Sequence, residues 1–137
     1  MITPTLARAL RQAGLEWRPA NGDRFLIATE EMGEDVFHLA DMVVEARELD
    51  TGAILAFNGT TEWALDSVEL ENTVWLPREG QLRALLGDHF RGLERTRDHV
   101  AVRLRLPDGS DVVVTDPDAE SAYARGLLRV LQQEGAG

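Results

Sequence analysis

The side chains best suited to chemistry crowd into one stretch, where His38 and Asp41 follow Glu30, Glu31, Glu34 and Asp35. Imidazole nitrogen and carboxylate oxygen are donors that a divalent cation accepts, and a metal held there would serve a small metal-assisted hydrolase. Two features work against that chemistry. Successive side chains on a strand point to opposite faces, so His38 and the acids before it need not converge. The chain also holds no HExxH pair, EF-hand loop or three-histidine set. His89 follows Asp88 just past an expected helix end, where the dipole favours a cation, and His99 opens an expected strand. The serines are Ser67, Ser110 and Ser121, none in a GxSxG setting, which leaves little material for a Ser–His–Asp triad. Cysteine and lysine are both absent. Their absence removes thiolate metal sites, cysteine nucleophiles, Schiff-base chemistry and a P-loop lysine. No GxGxxG opens a helix after a strand and there is no RNP aromatic motif, so no cofactor is implied. Without a complete catalytic set, the sequence points away from an enzyme.

A second stretch suits binding rather than reaction. Asn58, Thr60, Thr61, Glu62, Trp63 and Asp66 precede Trp75, which places tryptophans, hydroxyls and acids beside a sheet edge. An exposed Trp63 ringed by those polar groups would anchor an interface, since tryptophan is enriched at binding hot spots. The alternative is that Trp63 and Trp75 plug the core between sheet and middle helix.

Charge is distributed unevenly. The formal net charge is −10, and all 14 cations are arginine. Residues 30–72 hold twelve acids against Arg47 alone, for −11, whereas residues 78–105 hold seven arginines against four acids, for +3. The two strips could pair within one chain or between two copies, and such complementarity steers and orients association. Residues 30–72 could also imitate phosphate charge, as an acidic decoy or antitoxin-like binder of a basic partner. The overall balance argues against nucleic acid and anionic membranes as partners. No run approaches the ~18 apolar residues of a membrane span, and the first residues lack a basic-then-apolar secretory run. The expected location is the cytoplasm.

The elements that must position these groups follow from periodicity and turn chemistry. Thr3 as cap, Pro4 at the first position and Gly14 as stop predict a first helix with a stripe of Leu6, Ala9, Leu10 and Ala13. Asn21-Gly22 predicts a hairpin joining 17–18 to 24–27. Further strands are expected over 36–39, 42–49 and 53–57, the last two forming a hairpin, and a short helix over 62–68. Pro77 starts a middle helix ending at Gly87, with Leu82, Leu85 and Leu86 buried. Strands over 91–95, 100–106 and 111–115 follow, the last two joined by a Pro107-to-Ser110 turn. Asp116 is the expected cap of the last helix, whose apolar face is Ala119, Ala122, Tyr123, Leu127, Val130 and Leu131. The fold class is α+β. Residues 1–137 are expected to form a single domain with 134–137 frayed. Its core would be an antiparallel twisted sheet of about five to seven strands with the N-terminal, middle and C-terminal helices mainly on one face.

Residues 57–67 with 75–87 resemble a group of short actinobacterial proteins, and the resemblance runs over nearly the whole chain to the alanine-rich helix at 119–124. Members of that group are often labelled automatically as pilus assembly proteins. The ATPase family of that label uses a lysine-bearing deviant P-loop, and this chain has no lysine. The resemblance therefore implies a bacterial cytoplasmic protein and no catalytic residue. The functional expectation is a non-enzymatic protein-interaction or accessory module with a protein partner and a capacity for self-association.

Overall fold

A computed structural model describes residues 1–27, 36–38, 43–49, 52–57, 67–69 and 72–136. The chain divides into two compact units, residues 17–76 and residues 1–16 together with 77–137.

In the unit 17–76, strand β1 (Arg24–Ile27) lies between β2 (Val36–His38) and β6 (Thr73–Trp75), both antiparallel to it. Phe25, Leu26 and Ile27 are all buried, so alternate faces of β1 are both covered. The Phe25 ring stacks between Trp17 and Phe37, at centroid distances of 5.2 and 5.8 Å. The turn at Asn21-Gly22 forms, but the hairpin expected from it does not. Trp17 and Arg18 lie outside any strand, because both edges of β1 are taken by β2 and β6. Asp23 sets the loop instead. Its buried carboxylate, 1% exposed, accepts hydrogen bonds from Trp17 Nε1 at 2.9 Å and the Ala20 amide at 3.0 Å. A hydrogen bond to a charged group is worth about 1.5–3 kcal/mol, and this part-buried one gives the indole N–H its acceptor.

Strands β3 (Val43–Leu49) and β4 (Gly52–Phe57) form the expected hairpin, and β5 (Ser67–Glu69) adds to β4. The helix expected over 62–68 is corrected at its end, since Ser67 and Val68 belong to β5 and pair with Ala56 and Leu55. A seven-residue helix gains too few internal bonds to offset nucleation, whereas a strand beside β4 satisfies its backbone groups at once. Residues 62–66 lie outside the described residues.

In the other unit, α1 (Pro4–Gln12) is capped as expected, with the Leu6 amide donating to Thr3 Oγ1 at 3.1 Å. Its buried seam runs through Ala7 and Leu10, with Ile2 ahead of it, rather than through Leu6 and Ala9. Helix α2 (Glu79–Leu86) buries Leu82 and Leu86 but leaves Leu85 41% exposed. Adjacent helical residues stand about 100° apart, so a seam set by Leu82 and Leu86 turns Leu85 to its margin.

Strands β7 (Phe90–Arg95), β8 (Val100–Arg105) and β9 (Asp111–Asp116) then form an antiparallel meander. The β8–β9 turn needs positive φ at Gly109, +89°, and closes with the Leu106 amide donating to the Ser110 carbonyl at 2.8 Å. Helix α3 (Ala119–Ala136) packs on β8 and β9, while α1 and α2 pack on α3. Asp118, not Asp116, caps α3 by accepting from the Ser121 amide at 3.0 Å; Asp116 accepts from the Asp118 amide one step earlier. The helix continues to Ala136. Ala122, Tyr123, Leu127 and Val130 are buried on the predicted face, joined by Ala124. Gly126 is buried too, and a Cβ there would meet the Leu104 side chain, so the missing side chain sets how close α3 comes to β8.

The fold is α+β, with helices gathered on one side of the β7–β9 sheet. In place of one sheet of five to seven strands, the nine strands among the described residues pair as three antiparallel sheets of three. Composition and alternation fix which segments are extended; they do not say which strands find each other.

Candidate functional site

The β7–β9 sheet is layered on one side, and its other side carries arginine. Along β8 the inward residues Val100, Val102 and Leu104 are buried, while Arg103 and Arg105 between and beyond them are exposed. Cross-strand register builds the outer face in rows. Gly92, Arg103 and Val113 form one row, and Arg105 with Asp111 the next. Glu94 lies opposite Ala101 in the row on the far side of Arg103. The pairing shifts between Phe90 and Gly92, which leaves Arg91 as the extra residue of a bulge. That bulge brings Arg91 beside Arg103, Arg105 and Asp111 around a shallow groove of about 310 Å³, completed by Val112 and Val113.

The Arg103 guanidinium lies over Gly92, in space that a Cβ there would occupy. Arg105 Nε donates to Asp111 Oδ1 at 3.0 Å. This bond and the Arg105 charge hold the Asp111 carboxyl below the usual carboxylate range, with Arg91 adding to the same direction. Among the described residues, Arg91 and Arg103 form no ion pair. Val113 is 58% exposed in the middle of the face. The arrangement presents planar, permanently charged forks around an apolar spot, which suits carboxylates or other oxyanions on a partner surface.

Asn58, Thr60, Thr61, Glu62, Trp63 and Asp66 lie outside the described residues. Trp75 sits on β6 opposite Phe25, half-buried, and its buried Nε1 has no hydrogen-bond acceptor among the described residues. His38 is exposed on β2 opposite Arg24; Asp41 and the acids Glu30, Glu31, Glu34 and Asp35 lie outside the described residues. No group of three or more metal-ligating side chains gathers among the described residues. His89 Nδ1 bonds the Arg105 carbonyl at 2.8 Å, with Nε2 3.8 Å from Glu134. His99 Nδ1 meets Thr96 Oγ1 at 3.1 Å. Ser110 and Ser121 give their hydroxyls to Asp108 and Asp118, both in turns or caps. These polar groups are absorbed by local structure.

Arg91, Arg103 and Arg105 were not among the residues picked out from sequence as binding groups. The available signals were the +3 excess over 78–105 and the arginines alternating with apolar residues on β8. The bulge that recruits Arg91 leaves no mark in the sequence pattern. No helix among the described residues is long and apolar enough to cross a membrane. No protein-family model, curated protein or solved structure matches this chain.

Proposed function

We propose that this protein is a non-enzymatic interaction module, acting in the bacterial cytoplasm, that docks a protein partner on the outer face of its β7–β9 sheet. The observation that carries this reading is the one-sided layering. Helix α3, backed by α1 and α2, covers one face, and the other exposes Arg91, Arg103, Arg105 and Val113 around a groove. Arginine is enriched at interface hot spots and lysine is depleted. An arginine-rich sheet face with an apolar centre is therefore a better docking surface than its charge alone indicates.

The test is site-specific photo-crosslinking in the native host, with a benzophenone amino acid at position 113 of the full chain. A discrete adduct is expected, and the partner identified in it should bind the purified chain more weakly when Arg103→Glu is introduced. No adduct from position 113, or a partner indifferent to Arg103→Glu, would remove the reading.

A further inference from the structure

We infer that the arginine groove is a phosphate site, and that what it takes from a partner is a phosphorylated side chain. The inference rests on the docking reading above and names the group by which the partner is recognised.

Charge inside the groove sets the ligand class. Three guanidinium groups line it against the single carboxylate of Asp111, which leaves a balance of +2. A phosphorylated side chain carries about −1.5 to −2 at neutral pH, with three strong acceptor oxygens. One aspartate or glutamate would leave half of the excess unanswered. Asp111 takes Arg105 through its 3.0 Å bond, and Arg91 and Arg103 form no ion pair among the described residues. Two planar, always-charged forks are thus free to make paired bonds to oxyanion oxygens.

The unit around the groove is neutral. Residues 1–16 and 77–137 hold eleven arginines and eleven acids, so the chain's −10 belongs wholly to residues 17–76. At physiological ionic strength, charges separated by more than about 8 Å are largely screened, and the groove's own excess decides what it attracts. The setting also favours a phosphate carried on a chain over a free ion. The groove is shallow, and its volume of about 310 Å³ stands at the small end of ligand cavities. Arg91, Arg103 and Arg105 are all exposed, so a lone ion there would stay largely wet. Val113, 58% exposed beside them, offers a phosphate nothing but gives the residues that carry it an apolar contact.

NMR titration of the full chain tests this with capped alanine pentapeptides bearing a central phosphoserine, phosphothreonine or phosphotyrosine. At least one should give saturable shifts at the Arg91 and Arg103 Nε–H groups and the Val113 amide. It should bind about tenfold or more tighter than the same peptide with glutamate at the centre. Arg91→Gln and Arg103→Gln should each weaken that binding by about tenfold, as expected for losing a hydrogen bond between charged groups. Arg97→Gln, an exposed change of the same kind in the β7–β8 turn, should leave it unchanged. Asp111→Asn should tighten it by about threefold, because the competing carboxylate is gone. Thermal melts confirm that each variant is folded, and two separate arginine sites guard against one misfolding. Inorganic phosphate should bind more weakly than the best peptide. No binding by any of the three peptides, equal binding of the glutamate peptide, or indifference to both arginine changes would overturn the inference. Inorganic phosphate held as tightly as the best peptide would overturn it too, since the site would then serve the free ion. A partner captured from position 113 that binds equally well after phosphatase treatment overturns the inference and leaves the docking reading standing; no adduct at all removes both.

Discussion

The two faces of the β7–β9 sheet are made from alternate residues of the same three strands, yet they answer to different demands. The inner face presents Val102, Leu104 and Val114 to α3, all nearly removed from solvent. The outer face presents Arg103, Arg105 and Val113, all exposed. Neighbours one residue apart in the chain thus sit in a close-packed interior and on an open surface. Stability belongs to the first set, and recognition is free to use the second. Substitutions on the two faces should therefore separate folding from binding.

The largest effect is expected at Leu104, which is 1% exposed. Leu104→Ala removes buried methyl groups and leaves a void beneath α3, so it should lower unfolding free energy by about 2–5 kcal/mol, read from urea denaturation. A loss below about 0.5 kcal/mol, the usual range of surface changes, would mean that α3 does not press on β8. Gly126→Ala tests the same contact from the other side. Helix propensity alone would make this change favourable by about 1 kcal/mol. The added Cβ would stand about 2.5 Å from Leu104 Cδ1, and Leu104 is enclosed and cannot swing away. Overpacking of about 1–3 kcal/mol should win, so the variant is expected to be net destabilised. Pairing it with Leu104→Val should recover part of the loss.

Titration separates the faces again. Tyr123 is the chain's one tyrosine. Burial, with Glu79 nearby, raises its phenol above the ordinary value of 10.0. Its neutral form is the one the fold favours, so the stability it supplies is complete below pH 10.0 and is lost as pH rises through the higher folded value. Absorbance of the ionised phenol should therefore appear late, and an unshifted midpoint would place Tyr123 in solvent. On the outer face Asp111 moves the other way, held below its ordinary 3.8 by the Arg105 bond and charge. The unfolded chain takes up that proton first as pH falls. The contribution is thus present above pH 3.8 and disappears as pH drops through the folded value. Asp108 behaves alike, chiefly through the Ser110 hydroxyl and amide. Carboxyl-resolved NMR should place the Asp111 midpoint below 3.8 and return it toward 3.8 in Arg105→Gln. A wild-type midpoint at the ordinary value would deny the pair.

Much of the β7–β9 sheet and its helices was legible because local signals agree there. Alternation along 100–106, a Pro-Asp-Gly turn and a 3.6-residue apolar stripe each specify one conformation. Near residue 20 the signals conflict. Asn21-Gly22 favours a hairpin, but Trp17 is drawn to the Asp23 carboxylate and the Phe25 ring, and β1 pairs elsewhere. Leu85 shows the same limit on a finer scale, since stripe membership does not tell centre from margin. The groove was harder still. Its arginines come from three positions on two strands, and one of them arrives only through a bulge that depends on cross-strand register. Charge counting located the excess but could not gather it at a point.

The smallest folding effect should come from the pair that isolates the comparison most sharply. Val113 and Val114 are adjacent, identical in type and on opposite faces, 58% and 6% exposed. Threonine preserves the branched shape and strand preference, so Val→Thr at either position changes little except polarity. At Val114 the hydroxyl enters an apolar layer, and the change should cost about 1–3 kcal/mol in unfolding free energy. At Val113 the hydroxyl meets water, and the folding cost should stay within about 0.5 kcal/mol. If a partner seals the outer face, Val113→Thr must still weaken association, because the hydroxyl is then dehydrated at the centre of a contact. Equal folding losses at 113 and 114 would show that the outer face is already covered within the single chain. A folding-neutral Val113→Thr that also leaves association untouched would move the interface away from this row of the sheet.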